Sequence, residues 1–359
     1  MLLNPLNIPY FLFNENLIAP EEVVCKDFTI HNNHSRNNNF IINKYQDDPL
    51  FVKQVKTYEA EKIHTLSREA TCYWLADNNP EFSSWKAIMP EYKTFDFNNH
   101  ILVTAYYPSS SLYDHLKEHP HSKNNISNQM AKILYDCHNP RLPKILQDQY
   151  AQYFPSEIPF VFKMASDHFR SGWRQNDAHT RELFELIQSD SDYITSMEKI
   201  SHQWETSTII HADIKFQNLL IDPQGQIKII DWETCDIGDP TWDLAAVFHM
   251  YFLAWTNGAL QSNHKRETSS SILTFTESYM QNQLHEFWNT YGACAGWNED
   301  QTDLMLRKTL SFTALNLVHT SFEITTQSKQ VDSYVGKILQ LGLNILKDPD
   351  SVINELLNF

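Results

Sequence analysis

The stretch HADIKFQNLLIDPQGQIKIIDWE, residues 211–233, decides the reading of this chain. Its second half is a hairpin signal, because the apolar runs NLLI and IKII flank the turn residues Pro223 and Gly225. With Pro223 to Gln226 as the turn, Asp222 pairs with Ile227, and the constant index sum of an antiparallel ladder sets Asn218 opposite Asp231. Directly opposed residues lie about 5 Å apart. An amide oxygen and a carboxylate at that spacing suit one hard cation such as Mg2+, which takes oxygen ligands and completes its shell with substrate phosphates. Asp213 precedes Asn218 on the loop entering the same hairpin end, where its carboxylate would take the proton of an attacking hydroxyl. The competing reading is that His211, Asp213 and Asn218 only shape turns, as Asp and Asn commonly do.

Composition narrows the partners. A chain of 359 residues can bury a large core and more readily splits into two lobes than stays one unit. The net charge of -16, from 44 acidic against 28 basic residues without a Lys/Arg block, argues against nucleic acid or an anionic membrane surface. The five cysteines are scattered and odd in number, without a CxxC pair, so they read as free thiols and a cytoplasmic location is expected. The start, MLLNPLNIPYFLFNENL, shows no basic segment or small-residue cleavage site. The longest apolar run, LAAVFHMYFLAW, is interrupted by His249 and too short to span a bilayer, so no membrane partner is expected.

Along the chain the pattern changes once. From Val23 to Val55 the runs FTI, FIINKY and LFVKQVK are separated by Asn-rich and Asp-Asp-Pro breaks, as in an antiparallel meander. In EKIHTLSREATCYWLADN, Ile63, Leu66, Ala70, Tyr73 and Leu75 fall near helical spacing, and YKTFDF and HILVTAYYP read as two more strands. From SSSLYDHL onward helices dominate, through Met130 to His138 and a tail from Asp303 to Phe359, with the hairpin as an exception. The expectation is an α+β fold divided near Tyr107, residues 1–106 forming a β-rich nucleotide-binding lobe and residues 107–359 a helical catalytic and substrate lobe.

At HADIKFQNLLID, IKIIDWE and IGDPTWDLAAVF the sequence resembles the aminoglycoside phosphotransferase and choline kinase-like superfamily, relatives of the protein kinases. The resemblance implies a protein kinase-like bilobal fold, with a small antiparallel β lobe and a larger, mainly α-helical lobe. It also implies an ATP- and Mg2+-dependent kinase that moves the γ-phosphate to a hydroxyl. Carried over residue by residue, Asp213 is the catalytic base, Asn218 and Asp231 are Mg2+ ligands, and Asp243 braces the catalytic loop. Asp239 followed by Pro240 is equally a plain helix start. Ala212 stands where the family usually has glycine, a tolerable change unless the position needs positive φ. DWE replaces the DFG of protein kinases and points to the small-molecule branch. Lys215 stands where protein kinases carry lysine and many antibiotic kinases histidine, and it either reaches the γ-phosphate or is an ordinary exposed lysine.

In the small lobe the resemblance makes Lys53 of FVKQ and Glu69 of SREA the ATP clamp, with Lys56 and Glu61 as competitors. The segment that would cover phosphates, HNNHSRNNNF, lacks glycine. Asparagine best tolerates left-handed backbone among the other residues, so this is either a phosphate cover, with Ser35 and Arg36 touching the nucleotide, or a polar hairpin tip. ILVTAYYPSSSL resembles the interlobe hinge, whose backbone at Ala105 to Tyr107 would bind adenine.

More narrowly, LFNENLIAPEEVVCKDF, SRNNNFIIN, FVKQ, SREA and DPTWDLAAVFHMY resemble phosphotransferases of lanthipeptide-type natural-product pathways. Those relatives phosphorylate Ser or Thr of a precursor peptide before a partner lyase eliminates the phosphate. Two acceptors therefore stand: a precursor peptide, or a small molecule such as an aminoglycoside. From another class comes a pseudokinase or peptide-binding scaffold that partners a lyase, favoured by the missing glycines and disfavoured by the intact base and metal ligands. No HExxH, grouped Cys/His spacing or GxSxG occurs, so neither a zinc site nor a serine hydrolase is supported.

Overall fold

Alternating polar and apolar residues in the first hundred positions become a five-stranded antiparallel sheet in the computed structural model, which describes residues 1–34, 37–44, 48–120, 125–164, 178–189, 191–263 and 272–359. The strands are β1 (Thr29–His34), β2 (Asn38–Asn43), β3 (Leu50–Gln54), β4 (Tyr92–Asp96) and β5 (Ile101–Ala105), in the order β1-β2-β3-β5-β4. Short strands follow: β6 (Ser110–Ser111), β7 (Thr208–Ile210), β8 (Leu219–Ile221), β9 (Ile227–Ile229) and β10 (Asp236–Gly238). The chain divides into one unit of residues 1–112, 144–155 and 217–235, and another of residues 113–143, 156–216 and 236–359.

In the first unit one sheet face is closed by the chain's own start. Phe40 and Ile42 of β2, Leu50 and Val52 of β3, and Ile101 and Val103 of β5 pack with Ile8, Phe11 and Leu12 of the Ile8–Asn14 helix. That helix has the i, i+3, i+4 spacing of an apolar stripe, yet it is too short for its period to stand out in the sequence. Gln54 fastens the segment, its oxygen accepting from the Leu3 amide at 2.8 Å and its nitrogen donating to the Met1 and Asn99 carbonyls at 2.8 and 3.0 Å. The other face, carrying Phe51 and Lys53, meets the Ala60–Asn78 helix, as its periodicity predicts.

Two expectations change. The Asn-rich run is mostly strand rather than a break, since Asn33 pairs with Asn39 and His34 with Asn38. β1 is an edge strand, and half-solvated edges accommodate polar side chains. Ser35 and Arg36 lie outside the described residues. The hairpin register also shifts by one, with Ile221 opposite Ile227 and Leu219 opposite Ile229. The cause is Gly225, at φ 79°, whose amide bonds to the Asp222 carbonyl at 2.9 Å. A tight turn with glycine in the left-handed region closes the loop one residue earlier than expected. Asn218 therefore faces Ile230, whose amide donates to its carbonyl at 3.0 Å, and Asp231 is the residue just beyond.

The second unit is built from helices, chiefly Ile126–Cys137, Ala178–Gln188, Ser191–Ser201, Pro240–Asn263, Glu277–Ala295, Glu299–Ser328 and Ser333–Lys347. Phe162, Trp242, Phe312, Leu315 and Val318 lie in its core with Tyr193 and Met197. β7 and β10 form a two-stranded antiparallel pair that flanks residues 211–235 in the sequence. No helix among the described residues is long and apolar enough to cross a membrane.

Phe40→Ala removes a ring that is 2% exposed in the sheet core and should cost about 3–5 kcal/mol in urea unfolding. Tyr10→Ala, at a position 65% exposed, should stay within about 0.5 kcal/mol. Equal losses at the two positions would contradict the packing described.

Candidate active site

The phase of β3 sends Lys53 toward the Ala60–Asn78 helix, where its side chain is only 7% exposed. Its ammonium donates to Glu69 Oε2 at 2.7 Å and to Asp231 Oδ1 at 2.6 Å, with Glu233 Oε2 at 3.9 Å. The structure thus brings Lys53, Glu69 and Asp231 together, while Lys56 lies past the end of β3 and Glu61 is exposed in the first helical turn. Burial opposes the Lys53 charge, but Glu69, Asp231 and Glu233 outweigh it and hold the ammonium above the usual lysine range. Burial pushes the Glu69 carboxyl up to about 7 against the pull of Lys53, and Asp231 and Glu233 add to the rise.

Asp231 adopts the left-handed conformation, φ 68° and ψ 55°, which costs a non-glycine residue roughly 1–2 kcal/mol. Its surroundings fix it there. Trp232 is fully buried, donates its indole N–H to the Ile229 carbonyl at 3.1 Å and packs 4.8 Å from Trp85. Arg68 reaches the Glu233 carbonyl at 3.4 Å and the Tyr153 carbonyl at 2.5 Å. Oxygens of Glu69, Asp231 and Glu233 lie within 4.8 Å of one another around the Lys53 ammonium, and carboxylate oxygen, as on Asp231, is the ligand type that Mg2+ takes. Asn218, 5% exposed, is the further amide at this end of the hairpin. Glu233 and Arg68 did not stand out in the sequence. Their signals were position alone, two residues after Asp231 and one before Glu69.

The Ala105 to Tyr107 stretch is fixed within the same unit. The Ala105 amide donates to the Glu91 carbonyl at 2.8 Å and the Tyr106 amide to the Pro49 carbonyl at 2.7 Å. The Tyr107 hydroxyl donates to Asp222 Oδ2 at 2.5 Å, and the Lys228 ammonium sits 5.2 Å over its ring. Burial first, then the Asp222 bond, raises the phenol above its ordinary range.

The loop of residues 211–215 belongs to the second unit. The Asp243 carboxylate, fully buried, accepts the His211 amide at 2.7 Å and the Ala212 amide at 2.9 Å. Ala212 lies at φ 64°, so this position does use the positive φ that glycine would give freely, at a cost of about 1 kcal/mol or more for alanine. The Asp213 amide donates to His211 Nδ1 at 3.3 Å. The Asp213 carboxylate accepts from Lys215 at 2.6 Å, in a pair whose side chains are 33% and 45% exposed. Asp239 caps the helix start, accepting the Thr241 amide at 3.0 Å, and pairs with Lys308 at 2.7 Å.

Replacing Lys53 by Met strands Glu69, only 3% exposed, among other carboxylates. Breaking a buried pair from one side costs about 3–5 kcal/mol, and Glu69→Leu added to Lys53→Met should recover part of it. A carboxyl held up at about 7 binds its proton more tightly folded than unfolded, so its contribution to stability is present at low pH and lost as pH rises through 7. The Lys53→Met deficit should accordingly be smaller at pH 5 than at pH 8 in urea unfolding. A pH-independent deficit would speak against this arrangement.

Comparison with known proteins bears on this geometry. A model of the phosphotransferase enzyme family (APH) matches residues 35–270, more than half of the chain. No curated protein sequence matches. Among solved structures, the chain is similar to the Plasmodium vivax ethanolamine kinase Pv091845, with TM-score 0.58 and 14% identity over 95% of this chain and 86% of that one. It is similar to the choline kinase LicA from Streptococcus pneumoniae, with TM-score 0.50 and 16% identity over 95% and 98% of the two chains. It is also similar to a thermostable aminoglycoside phosphotransferase APH(4)-Ia in ternary complex with ADP and hygromycin B, with TM-score 0.55 and 12% identity over 95% and 98%. At these identities the likeness establishes the protein kinase-like fold. With the family model spanning both the Lys53 strand and the 211–233 stretch, the chain belongs to the phosphotransferase enzyme family.

Proposed function

We propose that this chain is an ATP- and Mg2+-dependent kinase that transfers the γ-phosphate to a hydroxyl acceptor. The observation that carries the reading is the Lys53 ammonium, buried and bonded to both Glu69 and Asp231. Burying an ammonium among three carboxylates is costly and adds little stability over an apolar cluster, whereas a nucleotide site needs a fixed cation and oxygen donors beside phosphates. In this reading Lys53, steadied by Glu69, grips the α- and β-phosphates, and the backbone of Ala105 to Tyr107 lies against adenine. Ser35 and Arg36 remain the candidates for covering the phosphates.

Asp213 accepts the acceptor's hydroxyl proton, which raises the oxygen's nucleophilicity as it approaches the γ-phosphorus in line. Lys215, now paired with Asp213, is within a side-chain rotation of solvent and would transfer its donors to the γ-phosphate. When bound, Mg2+ held by Asn218 and Asp231 supplies positive charge against the phosphate oxygens. Asp243 keeps the Asp213 loop in place.

Two acceptor classes fit. The APH(4)-Ia relative is named in complex with hygromycin B, a small hydroxyl-bearing molecule, while the motifs from LFNENLIAPEEVVCKDF to DPTWDLAAVFHMY resemble enzymes that act on Ser or Thr of a precursor peptide before a partner lyase. Cys25, Cys72, Cys137, Cys235 and Cys294 are not in disulfides, which suits a reducing, cytoplasmic setting.

With γ-labelled ATP and Mg2+, wild type should label one of two offered pools, aminohydroxyl small molecules or Ser/Thr-rich peptides, and that pool identifies the branch. Asp213→Asn should lower kcat by roughly 10²–10⁴-fold and leave ATP affinity within about twofold, since the base touches the acceptor and not the nucleotide. Unchanged turnover in the variant would remove Asp213 from the mechanism. Nucleotide binding by wild type without transfer to either pool would favour the scaffold.

A further inference from the structure

Behind Asp243 lies a line of buried polar groups that phosphoryl transfer as described does not use. His138 ends the Ile126–Cys137 helix and places Nε2 at 3.3 Å from Asp243 Oδ2. Its Nδ1 lies 2.8 Å from the hydroxyl of Tyr291, on the Glu277–Ala295 helix. His138 is 8% exposed, Tyr291 4% and Asp243 0%. The polarity follows from the ends. A carboxylate oxygen only accepts, so Nε2 donates to Asp243, and the phenol oxygen is the partner of the ring's other nitrogen. Burial, then the Asp243 charge, keeps the Tyr291 phenol from ionising. The path links the Tyr291 hydroxyl to His138 and His138 to Asp243, whose carboxylate accepts the amides of His211 and Ala212.

Such a path has a mechanical use. The carboxylate torsion of an aspartate is broad, and two amides one residue apart are satisfied together only in one orientation of the carboxylate plane. His138 adds a third donor, on Oδ2, and the phenol fixes the ring that provides it. If the plane turned, the Ala212 amide would lose its acceptor, and with it the hydrogen bond that holds alanine at φ 64°. Asp213, the next residue, would move with it. An apolar pair of similar volume would fill the same space without burying an imidazole and a phenol, so packing alone gives no reason for these two groups.

We propose that His138 and Tyr291 are positioning residues for phosphotransfer, setting the orientation of Asp243 and through it the left-handed turn that presents Asp213. The link to chemistry rests on the Asp213 reading above. The link to loop geometry does not.

The test uses the full chain with His138→Leu, His138→Gln and Tyr291→Phe, read by hydrogen-exchange mass spectrometry of the peptide containing residues 211–215, by thermal melting and by phosphotransfer. His138→Leu should raise exchange of the loop amides at least tenfold and lower kcat roughly 100-fold, the penalty of a misplaced base, with the KM for ATP unchanged. His138→Gln keeps a donor for Asp243 and should restore most of both readouts. Tyr291→Phe, missing one hydroxyl, should lower kcat about 3–10-fold with little change in melting. Wild-type loop protection in His138→Leu, or glutamine no better than leucine at matched melting temperature, overturns the proposal. If wild type transfers no phosphate, the Asp213 reading fails on its own and loop exchange still decides the positioning role. Should His138→Leu not fold, faster loop exchange in Tyr291→Phe than in wild type, with His138→Gln near wild type, supports the proposal; equal exchange in all three chains overturns it.

Discussion

One ammonium organises the first unit. Lys53 reaches from the middle strand of the sheet to Glu69 on the helix and to Asp231 beyond the hairpin. Three separate pieces of chain are thereby fixed to one point, with a precision that apolar packing does not give, because charge-assisted bonds are directional and short. Hydrophobic burial supplies the cohesion around it: Phe40, Val52 and Val103 on one face of the sheet, Leu66, Tyr73, Trp85 and Trp232 on the other side. The charges add specificity to a unit that the apolar residues already hold together.

The second unit solves a related problem with a carboxylate in place of an ammonium. Asp243 sits in the first turn of the Pro240–Asn263 helix, where the positive end of the helix dipole favours a negative charge. Two backbone amides and an imidazole complete its coordination. Desolvating this carboxylate is tolerable because its lone pairs are met, which is the condition under which buried charges persist. The loop it holds is short, and its ends are tied to β7 on one side and to the buried Ile214 and Phe216 on the other.

Much of this was legible in the sequence. The resemblance named Lys53 and Glu69, with Lys56 and Glu61 as competitors, and the structure joins the first two, Lys53 on the helix-facing side of β3 and Glu69 on the buried side of its helix. The HADIKFQN stretch marked its own loop, because its resemblance is carried by particular side chains at close sequence intervals. Register was misjudged for a local reason: Gly225 makes the tighter turn available, and one residue of slip reassigns every pair in the ladder. The Asn run misled because polarity was taken as a break, although an edge strand accepts polar side chains. His138 and Tyr291 were invisible for a different reason. They stand 153 positions apart and belong to helices whose patterns read only as core. A hydrogen bond between such helices leaves no periodic trace in the sequence.

The two left-handed residues, Ala212 and Asp231, show how local backbone cost and side-chain chemistry depend on each other. Neither is glycine, so each stores strain that something nearby must offset. At Asp231 the offsetting bond runs through its own carboxylate to Lys53, so a residue chosen for its charge also stabilises its conformation. At Ala212 the side chain is a methyl packed against the core of the second unit, and the polar offset comes from Asp243 through the backbone amide. Glycine at 212 would relieve the strain, but it would also widen the conformations open to the loop before Asp213. Alanine narrows them. Its small strain is acceptable only because the carboxylate behind it is itself fixed, which makes the rigidity of residue 213 a property of the helices that carry Asp243, His138 and Tyr291 and not of the loop alone.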